Sequence, residues 1–279
     1  MDIKEKYKAL QDSLQKLEGV VVAYSGGVDS TYLLKAAVDT LGADRVLACI
    51  GVSPSLAQSQ HAQAVKYAAL IGAQLVEIPV DELDDKNYSA NRADRCFHCK
   101  SYLYRAIQKL GREKGYAHLV CGSNYDDQDD YRPGNRAALD QGVHSPLMEA
   151  RLTKAEIRLL SKEVDLPTAD LPASPCLASR MSYGLEITSQ RLSQIEQAED
   201  FLRSLGFREF RVRHHDTIAR IEVLPEDMTR LLGESWRESI LTQLKSIGFQ
   251  YVTLDLQGFR SGSMNEALST EQKQRFESH

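Results

Sequence analysis

Only 7% of the 279 residues are aromatic, with a single Trp, and no apolar run approaches the length that spans a bilayer (about 20 residues). A basic surplus is also missing: 34 Lys and Arg stand against 39 Asp and Glu, a net charge of −5. General nucleic-acid binders carry excess positive charge, so RNA or DNA is disfavoured as a partner. The opening segment, MDIKEKYKALQDSLQKLEG, lacks the apolar stretch and small-residue cleavage site of a secretory signal. The expected compartment is the cytoplasm, with no membrane partner. Cysteine is scarce, with five residues at 49, 96, 99, 121 and 176. An odd count in reducing surroundings argues for packing, metal ligation or catalysis ahead of disulfides. What remains is ordinary globular composition, 42% hydrophobic and 26% charged, which excludes disorder over most of the length.

The pattern along the chain has two textures. Ile3, Tyr7, Leu10, Leu14 and Leu17 recur at helical spacing and predict an amphipathic helix at the start. Strands are expected at 20–23, 45–52, 75–79 and 118–121, and helices at 30–40, 61–71 and 100–114. That alternation predicts a parallel sheet covered on both faces. Thr153 with Glu156 reads as a capping box opening a helix at 153–164. Residues 166–183 then hold three of the eight prolines and Cys176, a long irregular loop of the functional or linking kind. Beyond it come a helix at 188–205, a hairpin of strands 209–214 and 218–223, a helix near 235–247 and a strand at 250–256. Three domain-level pieces follow: 1–165, an irregular loop or linker at 166–187, and a smaller α+β domain at 188–279.

The sharpest local signal is Ser25-Gly26-Gly27-Val28-Asp29-Ser30, placed between the first strand and the next helix. Two glycines allow a turn tight enough to aim several N–H groups at one spot beside the positive end of a helix. Two serine hydroxyls add donors, and the result is an anion cradle. The spacing fits neither the dinucleotide nor the Walker fingerprint. The bland alternative is a strand–helix turn with no ligand.

This turn resembles the PP-loop of the ATP pyrophosphatases, which cleave ATP to AMP and pyrophosphate while adenylating a substrate. The resemblance implies a PP-loop (HUP-like) α/β fold. It also implies that Ser25, Gly26, Gly27 and Ser30 hold phosphates and that Asp29 helps to bind Mg²⁺. Ser53, just past the second strand, falls where this fold receives adenine and ribose, the crevice at the strand C-termini.

Cys96-Phe97-His98-Cys99 is expected to precede the helix that starts near Lys100. A redox pair, half of a metal site and two ordinary thiols all suit a lone C-x-x-C. Zinc needs four ligands and no second C-x-x-C exists. Cys176 adds a third thiol, and three thiols can hold a cubane iron–sulfur cluster with one iron open. Cys49, inside a strand, reads as a packed small hydrophobe, and Cys121, ending another, as structural but close to the crevice. In Phe210-Arg211-Val212-Arg213, strand alternation sets both arginines on one face. Paired guanidiniums repel unless solvated or bridged by an anion, and phosphate matches their planar forks. A solvated charged face is the alternative.

SGGVDS, the segment Gly122 to Asp127 with Asp130 to Gly134, the Cys176 loop with Ser179-Arg180 and Tyr183-Gly184, and the stretch LDLQGFRSGSMN together resemble the LarE family. Its members are ATP-dependent sulfurtransferases acting on pyridinium-3,5-biscarboxylic acid mononucleotide, in synthesis of the nickel-pincer nucleotide cofactor. The resemblance implies ATP and Mg²⁺ as cofactors and a small nucleotide as substrate. Cys176 would be catalytic, beside Ser179, Arg180 and Glu199, with Arg211 and Arg213 at the substrate phosphate. Cys96, Cys99 and Cys176 match the three-cysteine members, which implies a [4Fe–4S] cluster; sacrifice of the Cys176 sulfur is the other route. A solvated helical Glu is the alternative for Glu199. A homo-oligomer, trimer or hexamer, and a sulfur-donor protein are further implications. A tRNA thiolation enzyme and a non-catalytic nucleotide-binding regulator are the rival functions.

Overall fold

The computed structural model describes residues 1–128 and 133–269. Asp130, Tyr131 and Arg132, part of the family resemblance, lie outside the described residues. In chain order the elements are α1 (Ile3–Gln15), β1 (Val20–Ala23), α2 (Val28–Leu41), β2 (Val46–Val52), α3 (Gln58–Ile71) and β3 (Gln74–Pro79). Then come α4 (Lys86–Ser89), α5 (Arg95–Glu113), β4 (His118–Cys121), α6 (Pro133–Asp140), α7 (Pro146–Glu149) and α8 (Lys154–Glu163). The chain continues with α9 (Ser189–Ser204), β5 (Phe210–His215), β6 (Ile218–Val223), α10 (Pro225–Leu232), α11 (Glu234–Ile247) and β7 (Tyr251–Leu254). They form two compact units: Met1–Glu82 with Cys96–Ser174, and Leu83–Arg95 with Pro175–His279.

In the first unit four strands lie parallel in the order β3-β2-β1-β4, the PP-loop type of α/β sheet. Period-two alternation sorts the strand residues between two cores. Val20, Val22, Val46, Ala48 and Ile50 pack on one face with Leu10 and Leu14 of α1 and Leu33 and Leu34 of α2. Val21, Leu47 and Cys49 pack on the other with Tyr104 and Ile107 of α5. With both faces covered, the strands can be uniformly apolar, as Val20-Val21-Val22 is. The expected capping box is present: Glu156 N donates to Thr153 Oγ1, and Thr153 N donates to Glu156 Oε2.

In the second unit β5 and β6 form an antiparallel hairpin and β7 joins β6 in parallel. Asp216 turns the hairpin with φ of 58°, a backbone state that Asp tolerates better than most residues. Phe207, Phe210, Val212, Ile221, Leu244 and Phe249 form this unit's core.

Several helices differ from the sequence expectation: α4, α6, α7 and α10 are additional to it, and α5 starts earlier. The fifth helix begins at Arg95, so Cys96 and Cys99 lie inside it rather than before it. Cys, His and Phe are weak helix formers, which hid the start. Arg95 secures it by donating to Asn91 Oδ1 and stacking 4.8 Å from the Tyr183 ring centre. Helix α10, opened by Pro225 at its first turn, carries too short a pattern to stand out.

Candidate active site

Gly26 turns the chain out of β1 with φ of +73°, which favours glycine, and a Cβ there would sit 2.7 Å from Ala64 Cβ. Gly27 then caps α2 without any side-chain hydrogen bond to its first-turn amides. Those amides have no intrahelical partners and present positive charge to the crevice. Ser30 Oγ ties the turn together: it accepts from Ser25 N at 3.2 Å and donates to Gly27 O at 3.2 Å. Gly122, after β4, touches the turn from the other side. A Cβ there would come within 2.9 Å of Ser30 N and 3.0 Å of Ser30 Cα.

A cavity of about 260 Å³ opens at this sheet edge, lined by Ser25, Gly27, Asp29 and Ser30 together with Lys100, Tyr104 and Asp127. Asp29, expected as a Mg²⁺ ligand, holds Lys154 Nζ at 2.5 Å from Oδ2. The Lys154 backbone N–H in turn donates to Asp126 Oδ2 at 2.8 Å. Two carboxylates, Asp29 and Asp127, line one cavity, and hard oxygen donors of this kind suit Mg²⁺ shared with phosphate. Lys100 supplies a cation that the sequence reading missed. Its stem passes over Gly134, where a Cβ would meet Lys100 Cδ at 2.6 Å. The Tyr104 hydroxyl beside it raises the ammonium's pKa, and burial opposes that shift. Burial pushes the Tyr104 phenol up to about 12.

Ser53 follows β2 at the same sheet edge and donates to Glu82 Oε1 at 2.7 Å; Ser55 Oγ donates to the same oxygen. Glu82 is buried, at 2% exposure. Sequence reasoning singled out Ser53 and not Glu82, because nothing local marks an acidic residue in an exposed-looking turn as buried.

Cys96 and Cys99 stand one turn apart on α5; Cys96 is exposed and Cys99 half-buried. Cys176 is exposed and belongs to the second unit. Thiols of this accessibility are the donors that a cluster takes, yet among the described residues no three His, Cys, Asp or Glu side chains form a group that could hold a metal ion. Cys49 is packed in the core and burial pushes its thiol up to about 12, so it is inert. Cys121 is buried with Ser145 Oγ at 3.3 Å from its sulfur, and it lines the cavity.

In the second unit Cys176 opens a 3-10 turn, Leu177–Arg180. Ser179 Oγ donates to the Cys176 carbonyl at 2.7 Å, and Arg180 Nη1 donates to it at 3.0 Å and also to Pro175 O. Glu199 holds Arg180 through two bonds, 3.0 and 3.1 Å, and accepts from Val212 N at 3.2 Å. Glu199 is 4% exposed, so the solvated-helix reading fails. Arg180 and Glu199 therefore fix the backbone that carries Cys176.

The two strand arginines are buried, and the solvated-face reading fails with them. Arg213 binds Glu222 Oε2 through Nε and Nη2 at 3.0 and 2.7 Å; Ser263 Oγ donates to Glu222 Oε1 at 2.8 Å. Arg213 is thus answered by a carboxylate of the protein itself. Arg211 stacks 5.0 Å from the Phe259 ring centre. Burial, then the nearby Arg180 charge, pulls its pKa down to about 10. Two of the buried guanidiniums thus hold buried carboxylates, Arg180 with Glu199 and Arg213 with Glu222.

Among known proteins, the family model described as NAD synthase matches residues 3–100. An uncharacterized protein of Synechocystis sp. is 40% identical over 267 residues, 96% of this chain and 99% of its own. The pyridinium-3,5-bisthiocarboxylic acid mononucleotide synthase of Lactiplantibacillus plantarum is 38% identical over 269 residues, 96% of each chain. An uncharacterized protein of Methanocaldococcus jannaschii is 29% identical over 264 residues, 93% of this chain and 95% of its own.

Proposed function

The chain belongs to the family of the pyridinium-3,5-bisthiocarboxylic acid mononucleotide synthase, and on that premise we propose that it is an ATP-dependent sulfurtransferase converting carboxylates of a pyridinium mononucleotide into thiocarboxylates. The observation that carries the proposal is the uncapped glycine turn opening into a cavity that also holds Asp29, Lys100 and Asp127. A carboxylate resists acyl transfer because oxide is a very poor leaving group. Adenylation with release of pyrophosphate installs AMP as a good one. In this reading the turn amides, Ser25 and Ser30 cradle the phosphates, and Lys100 offsets the charge of the departing pyrophosphate. Bound Mg²⁺, held by Asp29 and Asp127, would neutralise phosphate charge.

The Cys176 thiolate displaces AMP from the acyl-adenylate, giving a thioester. Loss of the Cys176 Cα proton then breaks the Cβ–S bond, releasing the thiocarboxylate and leaving dehydroalanine. Ser179, Arg180 and Glu199 hold the Cys176 backbone in place for this attack, and Arg211 with Arg213 receives the substrate phosphate. The alternative sulfur route is a three-cysteine cluster, on donor chemistry alone: bound to Cys96, Cys99 and Cys176 it would present an iron open to an added sulfide, with Cys176 kept intact. Homo-oligomeric assembly and a sulfur-donor protein complete the proposal.

Anaerobic purification with iron and sulfide analysis, followed by intact mass after turnover, separates the sulfur routes. Sacrifice predicts that Cys176 loses the elements of H₂S once and that Cys96→Ala is nearly silent. Bound iron, an unchanged Cys176 and multiple turnover abolished by Cys96→Ala would instead establish the cluster. Absence of both thiocarboxylate and pyrophosphate from each preparation would overturn the proposal.

A further inference from the structure

We infer that Glu82 is a positioning residue that sets nucleoside selectivity by making Ser53 a pure hydrogen-bond acceptor. This rests on the ATP-using reading above and deepens it.

Ser53 stands at the carboxyl end of β2, the edge where open α/β sheets take ligands. Val80 N donates to Val52 O at 2.9 Å and so keeps the segment leading to Glu82 alongside the one leading to Ser53. A carboxylate only accepts, whereas a hydroxyl has one proton to donate and two lone pairs. Glu82 Oε1 takes the protons of both Ser53 and Ser55. The Ser55 backbone N–H, 3.3 Å from Ser53 Oγ, occupies one lone pair of that oxygen. Ser55 is buried at 6% exposure, while Ser53 is half-buried. The two hydroxyl oxygens also lie 3.0 Å apart, but each has one proton and Glu82 takes both, so neither donates to the other and one lone pair of Ser53 is left for a ligand.

Only a donor satisfies that lone pair. On the nucleoside end of ATP the donors are the exocyclic amine of adenine and the ribose hydroxyls. A purine with a ring carbonyl in place of the amine would set oxygen against oxygen. An unmade bond to a site built for a donor costs on the order of 1.4 kcal/mol or more, about tenfold in affinity.

Calorimetric titration of the full-length protein with ATP, ITP and 2′- and 3′-deoxy-ATP, each with Mg²⁺, tests this. Wild type should favour ATP over ITP by about tenfold if the amine is the donor, or over one deoxynucleotide if a ribose hydroxyl is. Ser53→Ala should bring the affected pair to within about twofold by weakening ATP; if the amine is the donor, Glu82→Ala frees the Ser53 proton and should close the ATP–ITP gap by strengthening ITP. Ser53→Ala keeps the buried Glu82–Ser55 contact, so it reports even if Glu82→Ala misfolds. Equal wild-type affinity for all four nucleotides, or Ser53→Ala retaining the wild-type preference, would overturn the inference while leaving the ATP reading intact. Failure of wild type to bind any of them would overturn both.

Discussion

His214 shows what burial does to one side chain. It is 1% exposed, its Nε2 lies 3.0 Å from Gln194 Oε1, and its ring packs against Phe249 at 5.0 Å. Burial pushes its pKa from 6.5 down to about 4. Between those values the unfolded chain binds a proton that the folded chain refuses. The stabilisation is whole above about 6.5 and is lost as pH falls toward 4. His215 shifts in the same direction, also by burial first. The thermal midpoint should fall across this window, and His214→Gln should flatten the fall. An unchanged slope would assign the acid sensitivity to other groups. Residues of this kind are poorly legible in sequence, because their partners are remote. Lys154 reaches Asp29 across 125 positions and Ser53 reaches Glu82 across 29, whereas Ser25 and Ser30 are joined within one turn. The glycine turn could be read because its chemistry is local. The same separation concealed that Arg213 is answered by Glu222 and that Arg180 is held by Glu199.

Elements were read best where an apolar period and a capping signal coincide. Val20-Val21-Val22, the Thr153–Glu156 box and the Phe210–Val212 alternation each appear where local pattern placed them. The start of α5 did not, since its first turn is weakly helical and depends on the Arg95 contacts. The junction of β4 with α2 makes a sharper test. Gly122→Ala would press a Cβ against the Ser30 backbone at 2.9 Å, and neither strand end nor helix start can move without opening the glycine turn. Overpacking of this kind costs about 1–3 kcal/mol, so ATP affinity should drop by roughly tenfold or more with circular dichroism unchanged. Wild-type affinity in Gly122→Ala would mean that this contact does not shape the site.

At the scale of the whole molecule, the second compact unit joins Leu83–Arg95 to the stretch from Pro175 onward, a grouping that no compositional break at 83–95 marks in the sequence. The second unit ends its sheet at β7, an edge strand on which Tyr251 is 62% exposed. Among the described strands β7 pairs only with β6, and an edge strand that carries an exposed aromatic side chain favours self-association. Sedimentation equilibrium is expected to show a trimer or hexamer, and a monomer at working concentration would remove subunit assembly from the proposal.

The central claim is that ATP cleavage to AMP and pyrophosphate drives sulfur onto the substrate carboxylate. Its most direct test incubates the full-length protein with ATP, Mg²⁺ and pyridinium-3,5-biscarboxylic acid mononucleotide, and follows pyrophosphate, AMP and substrate mass together. The account predicts one AMP and one pyrophosphate per thiocarboxylate formed, with Asp29→Ala folded but deficient in both. ADP as the main product, or pyrophosphate release with Asp29→Ala matching wild type, would contradict it.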